Sequence, residues 1–175
     1  SLPLMPAGVP IGALVLIRDV TEIRRNEQRR AVRFAVTDAL ATADSIHDAT
    51  SAILRSVCET LGWQLGEVWL IDRDAGLLRL LEAWSTPLDG GDDFMAVSRT
   101  WTFPPGVGLP GTVWATGEPI WLPDLAAASS FSRIELATRA GLHAILAVPI
   151  RLGGEVLGVM QFIATTIESP DGPLL

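Results

Sequence analysis

Residues 142–163 read LHAILAVPIRLGGEVLGVMQFI, and this stretch decides the fold class. Two apolar runs, Leu142–Ile150 and Glu155–Ile163, flank Gly153-Gly154. Paired glycines suit the positive φ angles of a tight turn, so the segment predicts a β-hairpin. Upstream, Glu67–Asp72 (EVWLID) and Leu77–Trp84 (LLRLLEAW) predict a second hairpin around Arg73-Asp74-Ala75-Gly76, followed by a loop over Pro87–Asp93. Before these strands the period is helical. A helix is expected over Ser45–Leu61, with Ile46, Ala49, Ile53, Val57 and Leu61 facing inward. Another spans 22–44 without a breaker. Val32, Val36, Leu40 and Ala43 form one apolar stripe on it, with Ala31, Phe34, Ala35 and Ala39 beside it, more than one contact needs. Between the hairpins, residues 104–141 form a Gly- and Pro-rich excursion with short helices near Leu109–Ala115 and Ser132–Arg139. Helices, two hairpins and a long crossing segment give an α+β domain with a central antiparallel sheet.

Composition removes several function classes. Of 175 residues, 49% are hydrophobic, enough for a packed core. The net charge of −7 argues against a nucleic-acid partner. Residues 18–33 hold six arginines against three acids, which reads as a solvated helical linker rather than a membrane or nucleic-acid patch. There is no lysine, so no Walker-A loop, Schiff-base enzyme or protein-kinase core can be built. Cys58 is the single cysteine, which excludes disulfides and cysteine-rich metal sites and fits a cytoplasmic setting. It lies at the edge of the inward face of its helix, as a small buried hydrophobe would. Residues 1–17 are uncharged, but prolines and glycines interrupt them, and a span needs about 20 apolar residues. No membrane segment is expected, and the chain reads as a piece of a longer protein.

Two resemblances organise the chain. GVPIGALVLIRDVTEIRRNEQ, residues 8–28, resembles the last strand of a PAS domain, whose Asp-x-Thr exit opens an outgoing signalling helix. GVGLPGTVWATGEPIWLPDL (106–125), SFSRIELATRAGLHAILAVPIRLGGEVLGVMQF (130–162) and IESPDGPLL (167–175) resemble the GAF family in order and spacing. The resemblance is to GAF domains found beside PAS domains in multi-sensor histidine kinases and diguanylate cyclases. It implies a sheet of about six strands, with a ligand pocket under the crossing segment on one face and helices on the other. The expected division is a PAS remnant at 1–21, a dimerising linker helix at 22–44, and a GAF domain at 45–175 cut where its closing helix begins, near Pro173.

Gly106-Val107-Gly108-Leu109-Pro110-Gly111 spells G-x-G-x-x-G, but it follows Pro104-Pro105 and Pro119 ends its helix after about two turns. A dinucleotide fingerprint needs a buried strand before it and an acid about 20 residues later. The motif reads instead as a turn with Pro110 at the first helical position. His47, in Ser-Ile-His-Asp, lacks the continuation of a kinase phosphoacceptor and reads as a surface residue. His143 opens a predicted strand opposite the apolar Leu142, Ala144, Leu146 and Val148 line, which aims it at the pocket side. The pocket candidates are Trp84, Trp101, Trp121, Phe131, Arg133 and His143, with Arg133 at the mouth. One imidazole, one guanidinium and several aromatic edges suit a planar, weakly acidic metabolite. No catalytic residue and no metal site are assigned. No cofactor is expected either: a lone histidine is thin support for haem, the family's cyclic-nucleotide motif needs a lysine, and Cys58 is misplaced for covalent bilin.

The expected function is a cytoplasmic sensory or regulatory module of a bacterial two-component sensor histidine kinase. It would bind an unknown small molecule, or relay signals through its flanking helices to a downstream catalytic domain, as a homodimer joined by the 22–44 helix. The alternatives are the same module in a diguanylate cyclase or phosphodiesterase, a ligand-free dimerisation domain, and a free-standing GAF-fold enzyme.

Overall fold

The computed structural model describes residues 43–127 and 131–166, together with Arg30, Phe34, Thr37, Asp38 and Ala41. The expected remnant at 1–21, most of the 22–44 helix and the closing helix near Pro173 lie outside the described residues. Within 22–44, Arg30, Phe34, Thr37, Asp38 and Ala41 are helical and exposed, whereas Ala43 and Asp44 are not helical.

Helix α1 (Ile46–Leu61) begins where its cap predicts. The Ser45 hydroxyl accepts the Asp48 backbone N–H at 3.1 Å, and Gly62 ends the helix in the left-handed region. The buried stripe is Ala49, Thr50, Ile53, Leu54, Val57 and Cys58. Ile46, expected inside, is 61% exposed, because the sheet covers the middle turns rather than the first. Six strands follow: β1 (Leu65–Asp72), β2 (Leu77–Ser85), β3 (Thr102–Phe103), β4 (Ile120–Leu122), β5 (Ala144–Leu152) and β6 (Glu155–Ala164). They form one antiparallel sheet in the order β3-β2-β1-β6-β5-β4. The two predicted hairpins are therefore neighbours, joined through the pairing of β1 with β6. Pro149 follows the last β4 pairing, where one side of β5 is unpaired and a residue without an N–H is tolerated.

Helices α2 (Gly91–Ser98), α3 (Gly108–Thr116) and α4 (Ile134–Arg139), with a 3₁₀ turn at Leu125–Ala127, lie in the connections between the strands. The predicted loop over Pro87–Asp93 stops at Gly90, because α2 begins at Gly91 and buries Phe94 completely. Two cores result. On one face of the sheet α1 packs Leu54, Val57 and Cys58 against Val68, Leu146 and Phe162. On the other, α2, α3 and α4 pack Phe94, Val113 and Ala137 against Leu65, Trp69, Leu78, Ile145 and Ile163. The G-x-G-x-x-G motif is a requirement of this second layer. Gly106 and Gly108 have φ of 77° and 64°, and a side chain at Gly111 would collide with the Pro104 carbonyl. Pro110 is the third residue of α3, not the first, and is tolerated there because first-turn N–H groups have no helical partner. Among the described residues no helix is long and apolar enough to cross a membrane.

Candidate functional site

The middle of the sheet carries a polar pair where an apolar one would be ordinary. Glu67 on β1 and Gln161 on β6 are register partners, and both are fully buried. Alanines flank them on the neighbouring strands, Ala83 opposite Glu67 and Ala147 opposite Gln161. This small-polar-polar-small row lies beneath the crossing segment. Arg133, just ahead of α4, fills the space above it and is 2% exposed.

The guanidinium of Arg133 grips Glu67 with two parallel hydrogen bonds, Nη1 to Oε1 at 2.6 Å and Nη2 to Oε2 at 2.9 Å. This fork geometry is the strong form of an arginine–carboxylate pair. Nη2 also reaches Gln161 Oε1 at 3.3 Å, and Nη1 donates to the Ser98 hydroxyl at the end of α2. Ser98 in turn donates to the Phe94 carbonyl, and the Trp69 indole N–H donates to Glu67 Oε2 at 3.2 Å. Aromatic faces enclose the cation: its central carbon lies 4.5 Å from the Phe94 ring centroid and 5.5 Å from those of Trp69 and Phe131. One side chain thus ties the crossing segment to β1, β6 and α2.

The structure gathers some of the expected pocket residues and separates others. Phe131 and Arg133 meet under the crossing segment, and Trp101 packs half-buried on the same side, 5.8 Å from Phe103. Arg133 lies inside the core rather than at a mouth, because Glu67 draws it down. Trp84 is on the opposite face with α1. Leu81 is the extra residue of a bulge between β1 and β2, where Val68 pairs with Glu82 but Trp69 pairs with Leu80, and the parity of everything after it flips. Trp121 also turns to the α1 face, 5.4 Å from Trp63, while its neighbours Ile120 and Leu122 face the crossing segment. The expected alternation holds along β5, with Ile145 and Ala147 on the crossing-segment side. His143, however, precedes the strand and is exposed, its backbone bonded to Ala164 and Leu125.

Glu67, Ser98, Gln161, Trp69 and Phe94 escaped the sequence reading. A signal existed for two of them, since an acid and an amide interrupt strands that are otherwise apolar. Cys58 is fully buried, and desolvation, with Glu59 adding to it, pushes its thiol up to about 12. His47 is on the surface, its Nδ1 3.3 Å from Glu82. Among the described residues no cluster of His, Cys, Asp and Glu could hold a metal ion. A separate open cleft of about 460 Å³, lined by Ile71, Arg73, Gly76, Trp114, Glu155 and Val156, lies at the turn ends of the two hairpins.

Comparison with known proteins agrees with this architecture. The GAF domain from a phosphoenolpyruvate-protein phosphotransferase of Coxiella burnetii superposes with a TM-score of 0.66 at 22% identity, over 81% of this chain and 79% of that one. The A. aeolicus nlh2 GAF domain in an inactive state gives 0.64 at 22% identity, over 80% of each chain. By sequence, the chain is 39% identical over 90 residues to the anthocyanin regulatory Lc protein of Zea mays, which covers 49% of this chain and 14% of that protein. The GAF domain model matches residues 43–171, so the chain belongs to the GAF domain family, a family of regulatory and sensory modules.

Proposed function

We propose that this domain is the sensory or relay module of a multidomain bacterial signalling protein, with a cytoplasmic two-component sensor histidine kinase as the parent. The Arg133 centre carries this reading. A buried ion pair contributes little more stability than well-packed apolar residues of the same volume, so its use calls for another reason. Here it is a directional link between a segment and a sheet, and a small molecule with the right polar groups can compete for it. A shift of the crossing segment would then alter the sheet and the helices on its far side. Phe34, 74% exposed at a helical position, supports pairing of the 22–44 helices in a homodimer. The chain offers no catalytic group of its own in this reading. Its single thiol is buried, it has no lysine, and His47 is an exposed partner of Glu82.

The same module in a diguanylate cyclase or phosphodiesterase is the nearest alternative. A ligand-free dimerisation domain is favoured by a different observation, the packing of Trp69, Phe94 and Phe131 on the Arg133 guanidinium. Native mass spectrometry of protein purified from its own host separates sensing from dimerisation. Sensing predicts a retained small molecule, whereas bare polypeptide in every preparation would favour the ligand-free reading. Incubation with labelled ATP should leave the chain unlabelled, and labelling at His47 would overturn the non-catalytic assignment.

A further inference from the structure

Two side chains of the Arg133 centre keep N–H groups that no described residue accepts. Among the described residues, Arg133 Nε and Gln161 Nε2 make no hydrogen bond, although both atoms are buried. Arg133 is 2% exposed and Gln161 fully buried. The other guanidinium nitrogens are used by Glu67, Ser98 and Gln161 Oε1, and both Glu67 oxygens are taken. The polar atoms left with no bond at all are therefore donors: one N–H from Arg133 and two from Gln161. Each unmatched nitrogen is one carbon away from an atom of the 3.3 Å contact between Arg133 Nη2 and Gln161 Oε1. Covalent geometry then holds the two within about 8 Å of each other, a span one small molecule can bridge. Leaving such donors dry costs about 1–3 kcal/mol each.

We propose that the Arg133 centre receives an uncharged, planar molecule bearing carbonyl or amide oxygens, a proposal that rests on the sensory reading above. The oxygens follow from the donors, since only acceptors match them. The absence of charge follows from the ion pair. The charged groups of the cluster are Arg133 and Glu67, and they neutralise each other; Ser98, Gln161 and Trp69 carry no charge. A carboxylate added here would leave one buried negative charge uncompensated. Planarity follows from the walls, the ring of Phe94 under the guanidinium with Trp69 and Phe131 around it, and from the small Ala83 and Ala147 in the floor. Planarity agrees with the expectation from sequence. Acidity does not, because that expectation left out Glu67.

Matched pairs that differ in charge at constant shape test the proposal: benzamide against benzoate, and acetamide against acetate, added to the full 175-residue chain. The readouts are the thermal midpoint and the ¹⁵N–¹H signals of Arg133 Nε–H and the Gln161 side-chain amide. An amide probe at about ten times its dissociation constant should raise Tm by about 3 °C. It should shift both signals, while the carboxylates leave them in place. Gln161→Met keeps the length of the side chain, removes both donors, and should abolish the response. If the variant does not fold, the Arg133 Nε–H signal of the unaltered protein decides. Signals unmoved by either amide up to its solubility limit would assign the donors to buried water and overturn the proposal. A response to the carboxylates alone would also overturn it, while leaving the sensory reading intact. Retention of the full amide response by Gln161→Met would place the site elsewhere and sink the assignment. Failure of the sensory reading itself is seen independently, as bare polypeptide in the mass spectrum.

Discussion

Arg133 and Glu67 are each costly to bury alone and tolerable together, so their energetics are those of a unit. Arg133→Met strands the Glu67 carboxylate in the core and should cost about 3–5 kcal/mol, measured by urea denaturation. Joining it with Glu67→Leu removes the stranded charge and should recover most of the loss. Strictly additive losses would mean that the two side chains are not coupled. Arg133 was legible in the sequence because it and Arg139 are the only arginines between Trp101 and Ile150. Its setting was not. The partner lies 66 positions away, and a pair so distant leaves no local trace. Trp84 and His143 lie elsewhere for a different reason: Trp84 was grouped with the other aromatics by type, and the side of His143 was inferred by counting along a strand. The bulge at Leu81 turns Trp84 to the α1 face, and the late start of β5 at Ala144 leaves His143 outside the strand.

At the level of elements, hairpins and caps were readable because their chemistry is local. Gly153-Gly154 and Arg73–Gly76 turn where predicted, and Ser45 and Gly62 bracket α1. Strands β3 and β4, two and three residues long, are too short to show a period, and the eight residues of α2 barely do. They exist because the sheet and its neighbours hold them. The seating of α1 on β1 was equally silent in sequence, and it makes a sharp prediction. A Cβ at Gly66 would stand 3.0 Å from Leu54 Cδ2 and 3.1 Å from Cys58 Sγ. Gly66→Ala should therefore push α1 from the sheet and destabilise the domain by about 1–3 kcal/mol. Adding Cys58→Ala opens the space and should return part of that loss. Denaturation midpoints for the two variants check both statements; an unaffected Gly66→Ala would mean that α1 yields without cost.

For the whole molecule, the α+β class was legible because two hairpins and a crossing segment admit few arrangements, and the six-stranded sheet because the resemblance to the GAF family implied it. The content of the space beneath the segment was not, since it depends on which side chains meet there. In the proposed dimer, deletion of residues 1–44 removes the apolar stripes of the 22–44 helix and should lower the association constant. Sedimentation at matched concentrations reads this directly, and an unchanged dimer would move the interface elsewhere. The strand order carries a consequence for synthesis. β1 sits in the centre of the sheet, yet one of its two neighbours is β6, the last described strand. On the ribosome β1 can pair early with β2, but its other edge stays open until β6 emerges. Glu67 meanwhile waits for Arg133 and then for Gln161. A nascent chain stalled before residue 133 therefore holds a half-sheet with an unmatched carboxylate on its open strand, and such a charge guards the edge against pairing with another chain. The residue that later anchors the crossing segment thus begins as the edge's protection against aggregation.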